Sequence, residues 1–531
     1  MSASSASSNT AAQTMEKPGH DVSSDEVCHD ERLRPTTTNT SFSLPVMKPW
    51  QRRLVMFSLC LTLFLGALGM TIVTTALPSI AKSLGTTTQQ YAWIGGGYNL
   101  ANTASMLIWS KASDIFGRKS TIMVAAATFM AGSLICALAS SSNMLIGGRV
   151  IQGLGGGGSL VLVTIVIGDI FSLEDRAKYY GMTGAVWGVS SAIGPLLGGI
   201  FTQSIGWRWC FYINLPLDGI ALLVLFFFLK VEIRKSQLAE GMRDIDWIGF
   251  ILVIGGTICF LYGLEIGSGG LSPWNSPKVI CLILFGMLLL VSFVVWEAKF
   301  ATSPTIPFRI FQKGTNIAAF VVACLHSFVF ISFDFFLPLY FQIILDMKPL
   351  ISGVTLFALI LPLSAMTMSG GYFIRKTGRY DIMIILGSAL MCLGNGLFIL
   401  FDETRNWPKI IIFQILAGSG AGTMFQSPMI ALQNHLRQRD TAAAMAAFNF
   451  IRSLFSSISI VIGTVLLQRT IGSGSITMKE EDADSMQVVN KETYMQALDI
   501  MWSFYTAIAG VTFISGFFIK KKPLAQPTDS P

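Results

Sequence analysis

The sequence predicts an all-α polytopic membrane protein, and three observations support this fold class. The chain has 531 residues, of which 52% are hydrophobic and only 13% are charged, against roughly 25% charged residues in a soluble domain. Its 50 glycines suit helices that approach one another closely in lipid. Apolar stretches of roughly 20 residues, the length that crosses a bilayer as a helix, recur along the chain. A water-soluble globule is therefore excluded.

Fourteen such stretches follow one another from Leu54 onward, and each is expected to form one transmembrane helix. They comprise residues 54–77, 91–109, 121–140, 144–168, 180–201, 210–229, 247–266, 279–296, 317–338, 350–373, 382–401, 410–433, 441–467 and 497–519. Because their number is even, both chain ends are expected on the same side of the membrane.

The distribution of Lys and Arg predicts which side that is, because cytoplasmic loops are enriched in positive charge. Alternate loops contain most of these residues, from Lys48, Arg52 and Arg53 at one end of the chain to Lys520, Lys521 and Lys522 at the other. Both termini are therefore predicted to be cytoplasmic.

The two ends of the chain, residues 1–47 and 520–531, are predicted to be cytoplasmic tails. The first is rich in Ser, Thr, Asp and Glu, which is typical of disorder. It has no basic start followed by an apolar core, so no secretory signal is predicted, and its sequon at Asn39 should stay unmodified. Most of the eight cysteines lie in apolar stretches, so no disulfide framework is predicted.

Polar residues between the apolar stretches indicate an internal duplication. The segments SKASDIFGR (110–118) and GYFIRKTGR (371–379) end in the same Gly-Arg pair. The glycines of residues 152–159 recur at nearly the same offset in residues 416–423. These matches align helices 2 and 4 with helices 10 and 12.

The duplication predicts the domain organisation. An N-terminal six-helix bundle (48–230) is followed by a linker with helices 7 and 8 (231–316) and by a C-terminal six-helix bundle (317–519). Two homologous bundles usually form a substrate site between them, near the middle of the membrane.

The loop after helix 2 contains Asp114, Gly117, Arg118 and Lys119. Asp114 can accept hydrogen bonds from an arginine, or from the N-terminus of a neighbouring helix, in one conformation and lose them in another. Taken by itself, the loop is typical of a solvated, positively charged connection. The motifs described next favour its interpretation as a conformational latch.

Helix 4 contains a cation, Arg149, followed by Gln152 and a run of glycines. A charge within an apolar helix costs roughly 2.5–3.5 kcal/mol, so such a residue normally faces protein or water. We expect Arg149 to face the central cavity and to link protonation of a nearby carboxyl group to conformation. The alternative is a side chain that extends to the outer interface. The glycines favour close helix packing.

Helix 5 contains Gly194, Pro195, Gly198 and Gly199. A proline within a helix removes one intrahelical hydrogen bond. The glycines permit a tight helix crossing. We therefore expect a kinked hinge at this point, beside a cavity.

These motifs resemble those of the major facilitator superfamily, specifically its fourteen-helix drug:proton antiporter branch. The resemblance covers Lys48 to Lys522 and implies the major facilitator fold. It rests on Asp114, Gly117, Arg118 and Lys119, on Arg149, Gln152 and Gly153, and on Gly194, Pro195, Gly198 and Gly199. Further segments resemble fungal members that export toxins and secondary metabolites, namely residues 207–216, 338–342 and 425–428.

One departure from the branch concerns the proton carrier. Helix 1 of the branch commonly has an acid where this chain has Gly69, so proton coupling would need another carboxyl group. The membrane-embedded candidates are Asp334, then Asp218, and also Glu265, which lies at its helix end and is expected to be interfacial. Asp334 is preferred because it shares a helical face with His326. The alternative is that Asp334 lies near the outer interface and is simply hydrated.

The resemblance implies a proton-coupled antiporter that exports a small amphipathic organic compound, such as a toxin, drug or secondary metabolite, by alternating access. Expected partners are that compound, protons and the lipid bilayer, with no nucleic acid, cofactor or metal. We expect a monomer in the plasma membrane, with a vacuolar or vesicle membrane as the alternative location.

Other function classes are less well supported by the residues. An enzyme is disfavoured, because no catalytic triad or metal-ligand spacing is recognised and the glycine run of helix 4 does not follow a strand. A vacuolar basic amino acid transporter would need several acids in its cavity. A non-transporting nutrient sensor would ordinarily need a longer cytoplasmic tail than residues 520–531.

Overall fold

The computed structural model describes residues 47–230, 245–268, 272–301, 303–437, 440–471 and 491–523. In these ranges the regular secondary structure is entirely helical. Thirteen of the described helices are long and apolar enough to cross a membrane. The predicted tails and the linker residues 231–244 lie wholly or mostly outside the described residues.

We number the long helices in chain order. The first six are α1 (Pro49–Leu84), α2 (Thr88–Phe116), α3 (Arg118–Ala137), α4 (Ser142–Ile170), α5 (Leu173–Ser204) and α6 (Trp209–Phe228). The next two are α7 (Trp247–Ser268) and α8 (Pro277–Lys299). The last six are α9 (Gly314–Ile344), α10 (Leu350–Thr377), α11 (Tyr380–Leu400), α12 (Trp407–His435), α13 (Thr441–Ile471) and α14 (Lys491–Gly516).

Each of the fourteen predicted transmembrane stretches coincides with one of these helices, which confirms the predicted fold class. The helix that falls outside the thirteen apolar spans is α2, which carries Asn102, Thr103 and Ser105 in its middle. These polar side chains are buried against protein, and the Thr103 hydroxyl lies 2.6 Å from the Ser453 hydroxyl of α13. Contact with other helices therefore makes the polarity of α2 compatible with the membrane.

Local sequence accounts for where several helices begin and end. Ser141 caps α4 by accepting a hydrogen bond from Met144 N, and Ser172 caps α5 by accepting one from Asp175 N. Gly85 ends α1 in the left-handed conformation, with φ of 59°.

Helices α1–α6 pack together and are called the N-terminal bundle below, and α9–α14 form the C-terminal bundle. In the first, α2 and α3 pack on α4 while α5 packs on α1; in the second, α10 and α11 pack on α12. The bundles meet along α5 and α10 and along α2 and α13. Helix α7 packs against α2 and α13, and α8 packs against α7.

The repeated glycines make equivalent contacts in the two bundles. In α4, a Cβ added to Gly153 or Gly157 would meet backbone oxygens of α2, and one added to Gly155 would meet the backbone of α3. In α12, a Cβ on Gly418 or Gly422 would likewise meet backbone oxygens of α10, and one on Gly420 would meet the backbone of α11. The glycine spacing that is repeated in residues 152–159 and 416–423 thus corresponds to the same close helix crossings in both bundles.

The predicted domain boundaries stay a prediction. The described residues from 47 onward form one compact unit, and the inserted α7 and the paired bundle faces join its two halves.

Candidate functional site

The N-terminal bundle contains a buried polar network centred on Arg149 of α4. Arg149 is 1% exposed and donates hydrogen bonds to the carbonyl oxygens of Ile94 in α2 (3.0 Å) and Gly69 in α1 (2.9 Å). It also donates to Oε1 of Gln152 at 2.7 Å, and its guanidinium carbon lies 4.3 Å from the ring centre of Tyr98. Arg149 therefore connects α1, α2 and α4.

The network continues from Gln152 into α3 and α6. Nε2 of Gln152 donates to Ser133 Oγ at 2.8 Å, and Nδ2 of Asn214 donates to the same oxygen at 3.2 Å. One turn further along α6 lies Asp218, which is 1% exposed and about 14 Å from the start of α6 at Trp209. Among the described residues, none hydrogen-bonds its buried Oδ2. An unpartnered carboxyl group thus lies one turn beyond the end of the network.

These contacts correct the expected position of Arg149. It does not face a cavity between the bundles or extend to the outer interface; it is enclosed by α1, α2 and α4. The physical reason is that two backbone carbonyls and an amide oxygen satisfy its donors inside the bundle. Within the described ranges, no carboxylate pairs with it.

Gly69, at the position where the antiporter branch that this chain resembles commonly has an acid, lies directly beside Arg149. Its carbonyl oxygen is one of the two that accept from the guanidinium. A Cβ at this position would lie 3.3 Å from the Tyr98 hydroxyl and 3.4 Å from the Phe129 ring. An acid side chain at position 69 would lie in the same polar network. With glycine at this position, Arg149 has no carboxylate from α1 beside it.

The C-terminal bundle contains a second arginine, Arg452 of α13, about 16 Å along the helix from its start at Thr441. Its guanidinium carbon lies 4.9 Å from the ring centre of Phe425 and 5.6 Å from that of Phe448. Its Nε is buried, and no acceptor bonds it in the part of the chain that the structure describes. Arg452 is therefore held by aromatic faces rather than by hydrogen bonds.

An aromatic group adjoins Arg452. The ring of His326 stacks parallel to Phe330, with centres 6.0 Å apart and an angle of 4° between the planes, and Phe425 stands edge-on to both. Nε2 of His326 donates to the Ala421 carbonyl oxygen at 3.0 Å. We refer to the set below as the interface cluster, comprising Arg452, Phe425, Phe448, His326 and Phe330.

The interface cluster reaches the N-terminal bundle through Phe425. A Cβ on Gly184 of α5 would lie 3.1 Å from Cδ1 of Phe425. The hydrogen bond from Asn449 Nδ2 to Thr164 Oγ1 of α4, at 3.3 Å, lies one turn from Arg452 on α13. The cluster therefore lies where the two bundles meet.

Asp334 is half-buried on α9, eight residues and about 12 Å beyond His326. No contact joins the two side chains among the described residues, and His326 is buried whereas Asp334 is not. In the described ranges, Asp334 makes no hydrogen bond or ion pair. The structure therefore leaves it as a second unpartnered carboxyl group, 20 residues from the start of α9 and near the end of the membrane span opposite the predicted cytoplasmic side.

Glu265 of α7 lies between helices, near the end of its own helix. Its Oε1 lies 2.8 Å from where a Cβ on Gly96 of α2 would be. With Trp93, Tyr262 and Ser457 it lines a cavity of about 80 Å³ between α2, α7 and α13. Glu265 lies three residues before the end of α7 at Ser268, so its position at the membrane interface stays a prediction.

The latch loop contains an ion pair. Gly117 has a φ of 89°, a conformation that glycine adopts readily, and Arg118 follows it as the first residue of α3. Nη1 of Arg118 donates to Asp114 Oδ1 at 2.5 Å, and its Nε donates to Asp169 Oδ2 of α4 at 2.8 Å. Lys119 Nζ donates to the Phe226 carbonyl oxygen at 2.5 Å. The arginine expected to pair with Asp114 is thus Arg118 itself.

Asp114 also borders the other bundle. It lines a crevice with Lys111 of its own helix and with Ala443 and Ala446 in the first turns of α13. Lys111 donates to Ser303 Oγ at 3.0 Å. The pair Asp114 and Arg118 therefore lies where relative movement of the bundles would change its surroundings.

Further contacts join the bundles on the predicted cytoplasmic side. Arg375 Nε of α10 lies 2.8 Å from Asp175 Oδ1 at the start of α5. Arg176 Nη1 donates to Gln433 Oε1 at 3.3 Å, and Gln433 Nε2 donates to Tyr180 Oη at 3.1 Å. The bundles are therefore in contact on this side.

The glycines of the predicted hinge in α5 divide into two groups. A Cβ on Gly194 would meet the Thr71 hydroxyl, and one on Gly198 would meet the Ile72 carbonyl oxygen, both in α1. Gly199 has nothing within 4 Å of its Cβ position. Helix α5 is continuous through Pro195, whose carbonyl oxygen accepts from Thr75 Oγ1 at 3.0 Å. Gly194 and Gly198 thus form the close crossing, and Gly199 does not.

Two functional candidates were missed by the sequence analysis. Arg452 lies within a predicted transmembrane helix, so the cost argument that singled out Arg149 would have found it. Asp169, the second partner of Arg118, is 51 positions away in sequence, and no motif signals that contact.

The fold and the site define a polytopic membrane transporter with two six-helix bundles, not an enzyme. The chain belongs to the Major Facilitator Superfamily, whose family model matches residues 59–460.

Similar proteins agree with this assignment. The efflux pump dotC of Dothistroma septosporum (strain NZE10 / CBS 128990) is 44% identical over 492 residues, which cover 89% of this chain and 84% of that protein. The MFS-type efflux pump LUC4 of Fusarium sp is 34% identical over 497 residues, covering 89% and 88%. The proton:xylose symporter XylE has a similar fold, with a TM-score of 0.60 at 12% identity and coverage of 89% and 97%.

Proposed function

We propose that this protein is a proton-coupled antiporter that exports a small amphipathic organic compound from the cytoplasm by alternating access. The observation that carries the proposal is Asp218, a buried carboxyl group without a partner in the described structure, one turn beyond the Arg149 network. A group that binds and releases protons during transport must be able to exist in both charge states. Burial among apolar groups opposes the charged form, while nearby polar groups and a cation favour it.

The structure supports a different order for the proton carriers than the sequence did. Asp218 becomes the first candidate, because it lies one turn along α6 from Asn214, whose Nδ2 belongs to the hydrogen-bonded set of Ser133, Gln152 and Arg149. Asp334 becomes the second, because it has no comparable polar neighbours in the described ranges. No hydrogen bond joins Asp218 to this set in the described ranges, so a change in its charge would act on the set through space or through α6 itself.

Export is supported by the relatives, which are named efflux pumps. The interface between the bundles supports an organic cargo, since rings from His326, Phe330 and Phe425 are gathered there. A basic amino acid transporter is not favoured, because Arg452 in the same cluster would repel a cationic cargo.

The remaining parts of the proposal concern location and assembly. We place the protein in the plasma membrane, with a vacuolar or vesicle membrane as the alternative, with both termini in the cytoplasm and acting as a monomer. Support for the orientation comes from the excess of Lys and Arg on one set of loops. A fluorescent protein fused to either end should be resistant to external protease in intact cells.

The experiment compares cells that express the full chain with cells that lack it. Both are loaded with the neutral dye Nile red, the cationic dye rhodamine 6G or the anionic dye fluorescein, and a panel of the host's own metabolites is measured in parallel. We expect lower accumulation of at least one compound in the expressing cells, and a protonophore should abolish the difference. Export of no compound by a protein correctly inserted in the membrane, or export unaffected by the protonophore, would contradict the proposal.

A further inference from the structure

Arg452 lacks a counter-charge. In the described part of the chain, its guanidinium makes no hydrogen bond or ion pair, and its buried Nε has no acceptor. A cation in the middle of a membrane protein is costly unless it is paired or reaches water or a ligand. By contrast, Arg149 at a similar kind of position has three acceptors within 3.0 Å.

The groups around Arg452 leave its hydrogen-bond donors available. It is flanked by the rings of Phe425 and Phe448, which contact a guanidinium face and cannot replace an anion. Its backbone carbonyl oxygen accepts from Ser327 Oγ at 3.3 Å, which fixes the position of this part of α13 against α9. The side chain is half-buried rather than fully enclosed. A guanidinium fixed in this way presents a fork of donors that suits a carboxylate or sulfonate.

The same cluster holds apolar rings that are nearly fully buried in this structure, with His326 1%, Phe330 6% and Phe425 7% exposed, so an apolar ligand would reach them only when the bundles move apart. His326, Phe330 and Phe425 form a stacked and edge-on set beside Arg452. Phe425 also contacts α5 at Gly184, so a ligand bound here would touch both bundles. Contact with both bundles is what allows a bound molecule to change their relative arrangement.

We propose that the interface cluster is the binding site of the exported compound, and that this compound is an organic anion with an aromatic or other planar apolar body. The inference rests on the proposed export function and adds the substrate class. The anionic group would accept hydrogen bonds from Arg452, while the apolar body would lie against Phe425, Phe330 and His326.

The test uses the purified full chain in detergent and three probes that share one ring system and differ in charge. Pyrene-1-carboxylate is the anion, pyrene-1-methanol the neutral compound and pyrene-1-methylammonium the cation. Binding is measured by fluorescence titration at fixed detergent concentration. We expect the carboxylate to bind at least about tenfold more tightly than the other two, as a charge-assisted hydrogen bond allows.

Variants test whether the preference for the anionic probe depends on Arg452. Arg452→Gln should weaken binding of the carboxylate about tenfold or more while leaving the neutral probe nearly unchanged, and Arg452→Lys should retain part of the preference. Phe425→Leu should weaken all three probes together. The control is Arg469→Gln, an exposed arginine on the same helix, which should change none of them.

Equal binding of the three probes to the wild-type protein would overturn the inference, and so would an unchanged anion preference in Arg452→Gln. The comparison of probes on the wild-type protein decides the question even if a variant fails to fold. Failure of the proposed function appears differently: anion binding that depends on Arg452, without proton-dependent efflux, would reject antiport and keep the site. Proton-dependent efflux of Nile red or rhodamine 6G alone would keep antiport and reject the anion site.

Discussion

The two bundles have the same scaffold and use their buried arginines differently. In both, alternating glycines bring one helix against two neighbours: α4 against α2 and α3, and α12 against α10 and α11. In the N-terminal bundle, Arg149 donates three hydrogen bonds to uncharged acceptors. In the C-terminal bundle, Arg452 has only aromatic faces for partners among the described residues.

This difference shows how one duplicated scaffold can support two tasks. A satisfied network holds helices in fixed positions and transmits a change at one member to the others. An unsatisfied cation at an interface remains available to a ligand. If the two proposals hold, proton coupling belongs to the N-terminal bundle and substrate recognition mainly to the C-terminal bundle.

The largest expected effect is a loss of stability, and it tests the close glycine crossings that the two bundles share. Gly155→Ala and Gly420→Ala should each lower stability by about 3 kcal/mol, because even a Cβ would meet the backbone of Phe129 or Met391 and force the helices apart. The measurement is thermal unfolding of purified protein followed by tryptophan fluorescence. Gly199→Ala is the control, since its Cβ position is open. A large effect in only one bundle would show that the crossings are not equivalent.

The glycine scaffold could be predicted because its signal is local: both the apolar lengths and the glycine spacing are visible in single helices. Two of the partners of Arg149 could not be predicted from the sequence. They are the backbone carbonyl groups of Gly69 and Ile94, and a backbone acceptor can belong to any residue type. The acid missing at position 69 was visible in the sequence, and its proximity to Arg149 was not. The cost of a cation in a membrane helix could have singled out Arg452 from the sequence, whereas the lack of an acceptor for its buried Nε could be seen only in the structure.

The second prediction tests how the bundles differ. Arg149→Met should destabilise the protein by about 2 kcal/mol, because it leaves the buried Oε1 of Gln152 without its donor. Arg452→Met should be neutral or stabilising, since it removes a cation that has no acceptor in the described structure. Thermal unfolding of the two variants in the same detergent gives the comparison. Adding Gln152→Leu to Arg149→Met should recover part of the loss; equal losses in both single variants would contradict the assignment.

The third prediction concerns the carboxyl groups. Asp218→Asn should reduce transport driven by a pH gradient at least about tenfold while leaving exchange of substrate without a gradient in place, because the amide cannot bind or release a proton. Asp334→Asn is the matched variant and should retain most of its gradient dependence. The measurement is flux in proteoliposomes with imposed gradients, using a compound identified by the cell assay. Loss of coupling in Asp334→Asn alone would transfer the role to Asp334, and no effect in either would reject both.

The smallest expected effect concerns the ion pair of Asp114 and Arg118. The two bundles also differ at this point. Arg118 is buried and binds both Asp114 and Asp169, whereas its counterpart Arg379 is exposed and binds Asp381 at 3.3 Å. Asp114→Asn removes one charge from a half-exposed pair, which is worth at most about 1 kcal/mol, while Asp169 still holds Arg118. We therefore expect a shift of up to about fivefold toward the state in which the bundles separate on the predicted cytoplasmic side.

A cysteine introduced at Ala446, which lines the crevice beside Asp114, reports that shift in a background without the native cysteines. Its rate of modification by a charged maleimide should rise with Asp114→Asn, because the buried position becomes accessible only when α13 moves away from α2. Asp381→Asn should leave the rate unchanged, since Asp381 does not line the crevice that Asp114 shares with Ala446. A rate that is unchanged by Asp114→Asn would show that Asp169 alone holds Arg118, and that the ion pair of Asp114 does not bias the equilibrium between the two states.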